Sequence, residues 1–283
     1  MGRKKAVKEG MEKVADEMLP DYHIHTNRCG HATGTDCAYV ERGLALGLTE
    51  LGFADHCPLY YRIPEGFAYT ARGMTDLEEY VRSIEALRRK FHPFPIRIGL
   101  EVDFLAGQAK PLLKMLGDLP FDYLIGSVHF VPEWSYGYIT NYRSRPPLEV
   151  YQRYYRIVRE MAASGLFQII GHLDLPRRIA EEPQDESLAL LEEELATAIA
   201  GSGMTVEINT SGWRLGLPGG GYPALRFLQR LAAKGVPITF GSDAHRPQEV
   251  GSCFEEALAH ARAAGYREYA IFAGKQRRMM SLP

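Results

Sequence analysis

Short apolar runs along the chain alternate with longer segments in which apolar residues recur at helical spacing. Seven of the short runs are rich in β-branched and aromatic residues, and most of them end at a polar side chain. Runs of this kind predict β-strands. The predicted strands cover residues 21–26, 51–54, 96–100, 123–129, 167–174, 204–209 and 236–240.

The intervening segments predict helices, and 148–164 is the clearest because Val150, Tyr154 and Ile157 share one face. The other predicted helices cover 36–48, 112–116, 187–200, 223–234 and 254–264, with one more that begins at Thr75. No element is predicted after 264. Strands and helices that alternate through short, right-handed crossovers predict an α/β fold, in which parallel strands close into a TIM-like (β/α)7 barrel.

Three segments interrupt this repeat. Residues 1–20 form a charged, weakly helical lead-in with a tendency to fray. The loop at 58–73 is long and rich in Tyr, Arg, Pro and Gly, which predicts a lid or a binding loop. The glycine-rich stretch at 216–221 lacks the spacing of a phosphate-binding loop, and we interpret it as a connection. A single domain over residues 21–283 is therefore expected.

The composition changes this picture little. A chain of 283 residues with 46% hydrophobic and 24% charged residues can bury a full core. Its net charge of −2 gives no general attraction to nucleic acid or an anionic membrane. Neither an export signal nor a run near the roughly 18 apolar residues of a membrane span is present. We expect a cytoplasmic protein with four free thiols and predict no oligomeric state.

The strongest chemical signal is at the first strand. His23 and His25 are two residues apart and point to the same face of a strand, with His31 in the loop beyond. Alone, this pair would also suit solvent-facing polar residues. Further side chains of the metal-binding types recur at the ends of the later strands, however. They are His56, Glu101, His129, His172, Asp243 and His245.

Seven of the nine histidines belong to this set, and the barrel would gather them at its catalytic face. Unpaired, so many ionisable groups would repel one another and lose their hydration, whereas divalent ions reverse the sign of that cost. Nine ligands exceed the needs of one ion, and imidazole with carboxylate suits Zn, Fe or Mn. Two or three divalent metal ions are therefore predicted. Cys29 and Cys57 lie close to His31 and His56, but packing is the preferred interpretation of these thiols.

In order and spacing these motifs resemble those of the PHP (polymerase and histidinol phosphatase) metallophosphoesterases, over residues 21–245. The resemblance implies a distorted seven-stranded barrel with a trinuclear centre. It implies a first metal held by His23, His25, Glu101 and Asp243. It implies a second metal bridged by Glu101 and held by His129 and His172, and a third held by His31, His56 and His245. Asp55 would orient a neighbouring imidazole.

Within that family the chain is most similar to the histidinol-phosphate phosphatase branch, through 29–32, 54–58, 171–178 and 207–214. The resemblance implies hydrolysis of L-histidinol phosphate to L-histidinol and phosphate, in histidine biosynthesis, by attack of a metal-activated hydroxide. The catalytic residues would be Glu101, Asp243 and His245. Arg177 and Arg214 would clamp the phosphate, with Arg178 close behind them, because guanidinium matches phosphate bidentately.

Two alternatives stay open from the sequence. The same chemistry would serve a PHP-type phosphoesterase acting on nucleotides or other small phosphate esters. A non-catalytic metal-binding module on the same barrel is less favoured, because every ligand position is filled. The group that protonates the leaving alkoxide is also open among His245, Asp243 and a metal-bound water.

Overall fold

The computed structural model describes residues 19–58, 74, 76–134, 138–183 and 186–283. Most of the lead-in at 1–20 and nearly all of the proposed lid at 58–73 lie outside the described residues. Ten strands are present in the described part: β1 Asp21–Ile24, β2 Leu51–Phe53, β3 Ile96–Ile98, β4 Glu101–Asp103, β5 Ile125–Ser127, β6 Ile169–Ile170, β7 Thr205–Asn209, β8 Ile238–Gly241, β9 Glu268–Ala273 and β10 Gln276–Ser281.

Eight α-helices connect or follow these strands in the described part: α1 Asp36–Leu46, α2 Leu77–Lys90, α3 Ala109–Leu116, α4 Pro147–Ala163, α5 Glu186–Ser202, α6 Ser211–Arg214, α7 Leu225–Ala233 and α8 Phe254–Ala263. Helix α2 begins later than the predicted Thr75, because the side chain of Asp76 caps it by accepting a hydrogen bond from the N–H of Glu79 (2.8 Å). The one-turn helix α6 was not predicted. None of the described helices is long and apolar enough to cross a membrane.

The parallel strands form a distorted barrel, as predicted. Strands β1, β2 and β3 make one parallel sheet, and β4 to β8 make another. The predicted third strand, 96–100, corresponds to β3, which pairs with β2. A separate strand that was not predicted, β4, follows it after Gly99 and Leu100 and pairs with β5. Parallel bridges between Ile24 and Ala244, and between His56 and Glu101, join the two sheets. The seven predicted strand positions are therefore all occupied.

Tyr123 fills the interior of the barrel below the candidate site. Its ring is fully buried, and its hydroxyl donates a hydrogen bond to the backbone carbonyl of Tyr22 (2.7 Å). Two glycines make room for this ring, since a Cβ at Gly52 would lie 2.2 Å from its hydroxyl and a Cβ at Gly99 2.3 Å from its ring carbons. Close packing around the ring of Tyr123 therefore requires glycine at both positions.

The chain ends in an antiparallel hairpin of β9 and β10 that was not predicted. Strand β9 is held to the barrel by the hydroxyl of Thr239, which donates to the carbonyl of Ala270 (2.9 Å). The ring of Phe272 lies 5.9 Å from Tyr22 and 6.1 Å from Tyr123 between centroids. The hairpin therefore extends the aromatic cluster of the barrel interior.

We predict that Gly99→Ala lowers the free energy of unfolding by about 1–3 kcal/mol, because the new Cβ collides with the rigid ring of Tyr123. Urea unfolding of the metal-free protein measures this. Gly201→Ala is the matched control, because Gly201 lies in α5 with no atom within 4 Å of the added Cβ, so it should be neutral or slightly stabilising. Equal effects of the two substitutions would contradict the packing argument.

Candidate metal centre

Eight of the nine predicted ligands lie at or beyond the C-terminal ends of the barrel strands, and Glu101 begins β4, three residues after the end of β3. His23 is in β1, His25 follows it, and His31 comes after a short 3-10 turn at Asn27–Cys29. The side chain of Thr26 caps that turn, and Gly30 ends it with a positive φ of 78°. This turn brings His31 back over the barrel mouth, where its Nε2 lies 3.0 Å from Nε2 of His245.

The carboxylate of Glu101 lies at the centre of the cluster and faces ligands on both sides. Its Oε1 is 3.0 Å from Nε2 of His172, 3.6 Å from Nε2 of His23 and 3.8 Å from Nε2 of His129. Its Oε2 is 2.9 Å from Nδ1 of His56 and 3.7 Å from Nε2 of His25. The two oxygens thus face different sets of imidazoles, as a bridging ligand requires.

Asp243 completes the deep part of the cluster. Its Oδ1 lies 3.2 Å from Nε2 of His25 and 3.9 Å from Nε2 of His23. The residue has a positive φ of 55°, and His172 has one of 24°. Positive φ is rare outside glycine and recurs at functional sites, where surrounding contacts hold it in place.

The ligand atoms fall into groups whose members lie within 4.8 Å of one another, and the groups share residues. They are His23–His25–Glu101, Glu101–His129–His172, His25–His56–His245, Cys29–His31–His245 and His25–Cys29–Asp55. The first contains the residues predicted for the first metal except Asp243, and the second contains those predicted for the second metal. The three residues predicted for the third metal are divided between two groups, His25–His56–His245 and Cys29–His31–His245. In the fourth, Cys29 lies beside His31, with its Sγ 4.0 Å from His31 Nε2 and 3.1 Å from the carbonyl of Thr26.

The donor set fits divalent cations. Nε2 of His23, Nε2 of His25 and Oε2 of Glu101 are buried without a hydrogen-bond partner among the described residues. Such atoms cost free energy when no partner compensates their lost hydration. Because they converge on one space, one or more cations would satisfy them together.

The pKa shifts of the clustered side chains in the metal-free protein also favour cations at this site. Burial lowers the pKa of His25, but Asp243, Asp55 and Glu101 outweigh it and raise the pKa to about 9. Burial also lowers the pKa of His23, but the carboxylates of Glu207 and Glu101 outweigh it. The pKa of His23 therefore rises well above its ordinary value. The pKa of Glu101 falls well below its usual range, because the neighbouring histidines outweigh burial. In the metal-free protein, protons bound to the histidines therefore supply positive charge that cations would supply in the metal-bound protein.

Carboxylates orient three of the buried imidazoles through their Nδ1 atoms. Asp55 lies 3.3 Å from Nδ1 of His25 and also accepts a hydrogen bond from the backbone N–H of Thr26 (3.1 Å). The predicted orienting contact of Asp55 is therefore present in the structure.

Two further carboxylate contacts were not predicted. Glu207 lies 2.6 Å from Nδ1 of His23, and Asp103 lies 2.5 Å from Nδ1 of His129. The signal for Asp103 was its place two residues after Glu101 on one strand, which puts both on one face. Glu207 sits in the Glu-Ile-Asn pattern at the end of β7. Each of these contacts places a carboxylate oxygen at Nδ1 of an imidazole whose Nε2 faces the other ligands.

The three arginines proposed for phosphate differ in their surroundings. The guanidinium of Arg177 is buried and donates to the carbonyls of Gly221 (2.7 Å) and Pro218. Arg214 donates to the carbonyls of Ser242 (2.5 Å) and Asp243 (3.0 Å). Arg178 is exposed.

Arg178 lies close enough to two tyrosines at the barrel mouth for its charge to act on them. Burial raises the pKa of Tyr138 and Tyr222, and the positive charge of Arg178 partly offsets that rise. The ring of Tyr138 stacks on His129, with 5.3 Å between centroids. Arg178 therefore lies near a tyrosine that stacks on one of the predicted ligands.

The barrel and its ligands define a class, the barrel proteins with a candidate multinuclear metal centre at the C-terminal ends of the strands. A model of the PHP domain matches residues 21–211, and a model described as PHP-associated matches residues 224–260. The chain belongs to the PHP family, as its motifs predict.

Several known proteins are similar to this chain over most of its length. The chain is 38% identical over 255 residues to a probable histidinol-phosphatase of Deinococcus radiodurans, covering 88% of this chain and 95% of that protein. It is 30% identical over 262 residues to the histidinol-phosphatase of Bacillus subtilis, covering 84% and 97%. A histidinol phosphate phosphatase of Lactococcus lactis, solved with zinc, L-histidinol and phosphate, superposes with a TM-score of 0.77, at 22% identity and over 92% and 99% of the two chains. That likeness confirms the fold.

We predict that zinc binding to the metal-free protein releases protons at pH 7.5, because His25, with a pKa of about 9, must lose its proton to act as a ligand. Calorimetric titration in two buffers of different ionisation enthalpy counts the protons. The apparent affinity should rise with pH up to about 9.

The raised pKa of His25 also makes the stability of the metal-free protein depend on pH. A pKa raised from 6.5 to about 9 contributes stability that is present below pH 6.5 and lost as the pH rises through 9. Heats that do not depend on the buffer would contradict protonated histidines at the site.

Proposed function

We propose that this chain is a metal-dependent phosphomonoesterase that hydrolyses L-histidinol phosphate to L-histidinol and phosphate, a reaction of histidine biosynthesis. The observation that carries the proposal is identity to histidinol-phosphatases along almost their whole length, 38% in one and 30% in another. The chain also has a ligand at all nine positions that the family motifs predict. A complete ligand set disfavours a module that has lost catalysis.

Two or three divalent ions, of which zinc, iron and manganese suit the donors, would be held by the nine ligands. Glu101 supports two positions in this proposal, because its two oxygens face different imidazoles. The chemistry supplied there is activation of a water as nucleophile and neutralisation of charge on the phosphate. Asp55 and Asp103 would keep the imidazoles of His25 and His129 in the orientation and tautomer that leave one nitrogen for a cation.

Among the arginines, we assign the direct phosphate contact to Arg178. It is exposed beside the mouth, and no hydrogen bond ties its guanidinium within the described residues. Arg177 and Arg214 instead hold the backbone that forms the mouth, through the carbonyls of 218–221 and 242–243. The substrate phosphate would thus contact the exposed guanidinium of Arg178, while Arg177 and Arg214 hold the backbone around the mouth.

His245 acts as a ligand in this proposal rather than as the proton donor to the leaving alkoxide. Its Nδ1 donates to the backbone carbonyl of Asp243 (3.1 Å), which leaves the lone pair of Nε2 directed at His31. An imidazole used in this way has no proton to give. Asp243 is also a proposed ligand, and the neighbouring histidines hold its pKa well below its ordinary value, so water at the centre remains for that step.

The proposal predicts a kcat/KM for L-histidinol phosphate that exceeds those for p-nitrophenyl phosphate, a dinucleotide and single-stranded DNA by several orders of magnitude. Phosphate release from protein of assayed metal content measures it. Glu101→Ala should abolish turnover, because both oxygens of the bridging carboxylate are lost. Similar slow rates on all monoesters, or cleavage of the diesters, would refute the substrate but keep a phosphoesterase on nucleotides or other small esters.

We also predict that Arg178→Ala lowers kcat/KM about 10–100-fold, since a charged hydrogen bond to phosphate is worth roughly 1.5–3 kcal/mol. Arg177→Ala should act on stability, because it leaves buried carbonyls unpaired beside the buried carboxylate of Asp174. Steady-state kinetics and urea unfolding separate the two effects. Arg89→Ala on the exposed side of α2 is the control, and an Arg178→Ala enzyme that matches it would refute the assignment.

A further inference from the structure

Glu207 is a fully enclosed carboxylate, 1% exposed, whose two oxygens have separate partners. Oε1 lies 2.6 Å from Nδ1 of His23. Oε2 accepts a hydrogen bond from the backbone N–H of His172 (3.0 Å) and another from Nδ2 of Asn209 (3.0 Å). One side chain at the end of β7 therefore contacts ligands that belong to two strands and to two proposed metal positions.

The orientation of Asn209 is itself determined. Its Oδ1 accepts hydrogen bonds from the backbone N–H of Ser211 (3.0 Å) and from the Ser211 hydroxyl (2.6 Å). The backbone N–H can only donate, so the amide oxygen must face Ser211 and the amide nitrogen must face Glu207. Oε2 of Glu207 thus meets two obligatory donors and must be an acceptor.

Space for this carboxylate is built into the neighbouring strand. A Cβ at Gly241, at the end of β8, would lie 2.0 Å from Oε1 of Glu207 and 2.6 Å from Cβ of His23. A side chain at 241 would push the carboxylate off the imidazole. The contact between Glu207 and His23 therefore depends on glycine at this position.

We infer that Glu207 is a positioning residue that fixes the tautomer of His23, so that Nδ1 holds the proton and Nε2 is left for the metal, while it also tethers the backbone of His172. The inference rests on the proposed metal centre but not on the substrate. It gives His23 the same kind of partner at Nδ1 that Asp103 gives His129 and Asp55 gives His25.

The substitution Glu207→Gln tests the tautomer directly. Because two donors face the Oε2 position, the glutamine must place its oxygen there and its amide nitrogen against Nδ1 of His23. Nδ1 must then accept, which moves the proton of the neutral ring to Nε2 and blocks that atom as a ligand. The tether to His172 survives in Glu207→Gln, so the second position should keep its metal.

Zinc affinity and stoichiometry of the whole protein are measured by competition with a chromophoric chelator. Glu207→Gln should weaken one zinc about 10–100-fold. Asp103→Asn should weaken one zinc as well, and the double variant should weaken two. Glu192→Gln is the matched control, since Glu192 is a fully buried carboxylate that pairs with Arg226 and Arg230 away from the centre.

Urea unfolding of the metal-free variants separates positioning from plain structure. Lost stability in Glu207→Gln with unchanged zinc affinity would overturn the inference. A double variant that weakens only one zinc would also overturn it, because the two carboxylates would then act on the same position. A wild-type protein that takes up no zinc, iron or manganese would refute the metal centre itself, which is a different result from either of these.

Discussion

The pairing of the first barrel strand with the segment after the last one is the contact on which the site depends. The N–H of His25 donates to the carbonyl of Ala244 (2.9 Å), and the N–H of Ala244 donates to the carbonyl of His23 (3.1 Å). Asp21, fully buried, strengthens the closure by accepting from the N–H groups of Ser242 (2.8 Å) and Gly251 (3.0 Å). These bonds join residues more than 200 positions apart, and they bring the histidines of β1 against Asp243. An open sheet would leave the two halves of the cluster on opposite edges.

Closure of the barrel brings ionisable side chains together away from water. The arrangement of these side chains on the strands reduces the free-energy cost of removing them from water. Several imidazoles and two carboxylates are removed from water at one point, and each uncompensated charge there would cost several kcal/mol. Alternating carboxylate and imidazole reduces that cost, and Glu101 is the carboxylate that touches the most partners. Among the buried atoms that remain without a hydrogen bond in the described residues, Nε2 of His23 and Nε2 of His25 converge on the space for cations.

The sequence was sufficient for the barrel and for the clustering of the side chains proposed as ligands, because strand ends and metal-binding side chains are both local signals. It was insufficient for what depends on a distant partner. Glu207 lies 184 positions from His23, and nothing local tells whether a carboxylate on a strand faces a cation, an arginine or an imidazole. Arg177 has the residue type of a phosphate clamp, but only the fold shows that carbonyls occupy its donors. The exposed, arginine-containing strand β10 lacks the alternation that predicts a strand.

Five of the seven clustered imidazoles fall into two kinds according to their depth in the barrel mouth. The deeply buried His23, His25 and His129 each have a carboxylate at Nδ1. The outer pair, His31 and His245, instead have Nδ1 at backbone carbonyls, each at 3.1 Å. A carboxylate makes an imidazole more basic than a carbonyl does, and desolvation strengthens every attraction to a cation. Cations held by His23, His25 and His129 would therefore meet the more basic and more desolvated donors, whereas His31 and His245 would offer donors that solvent reaches.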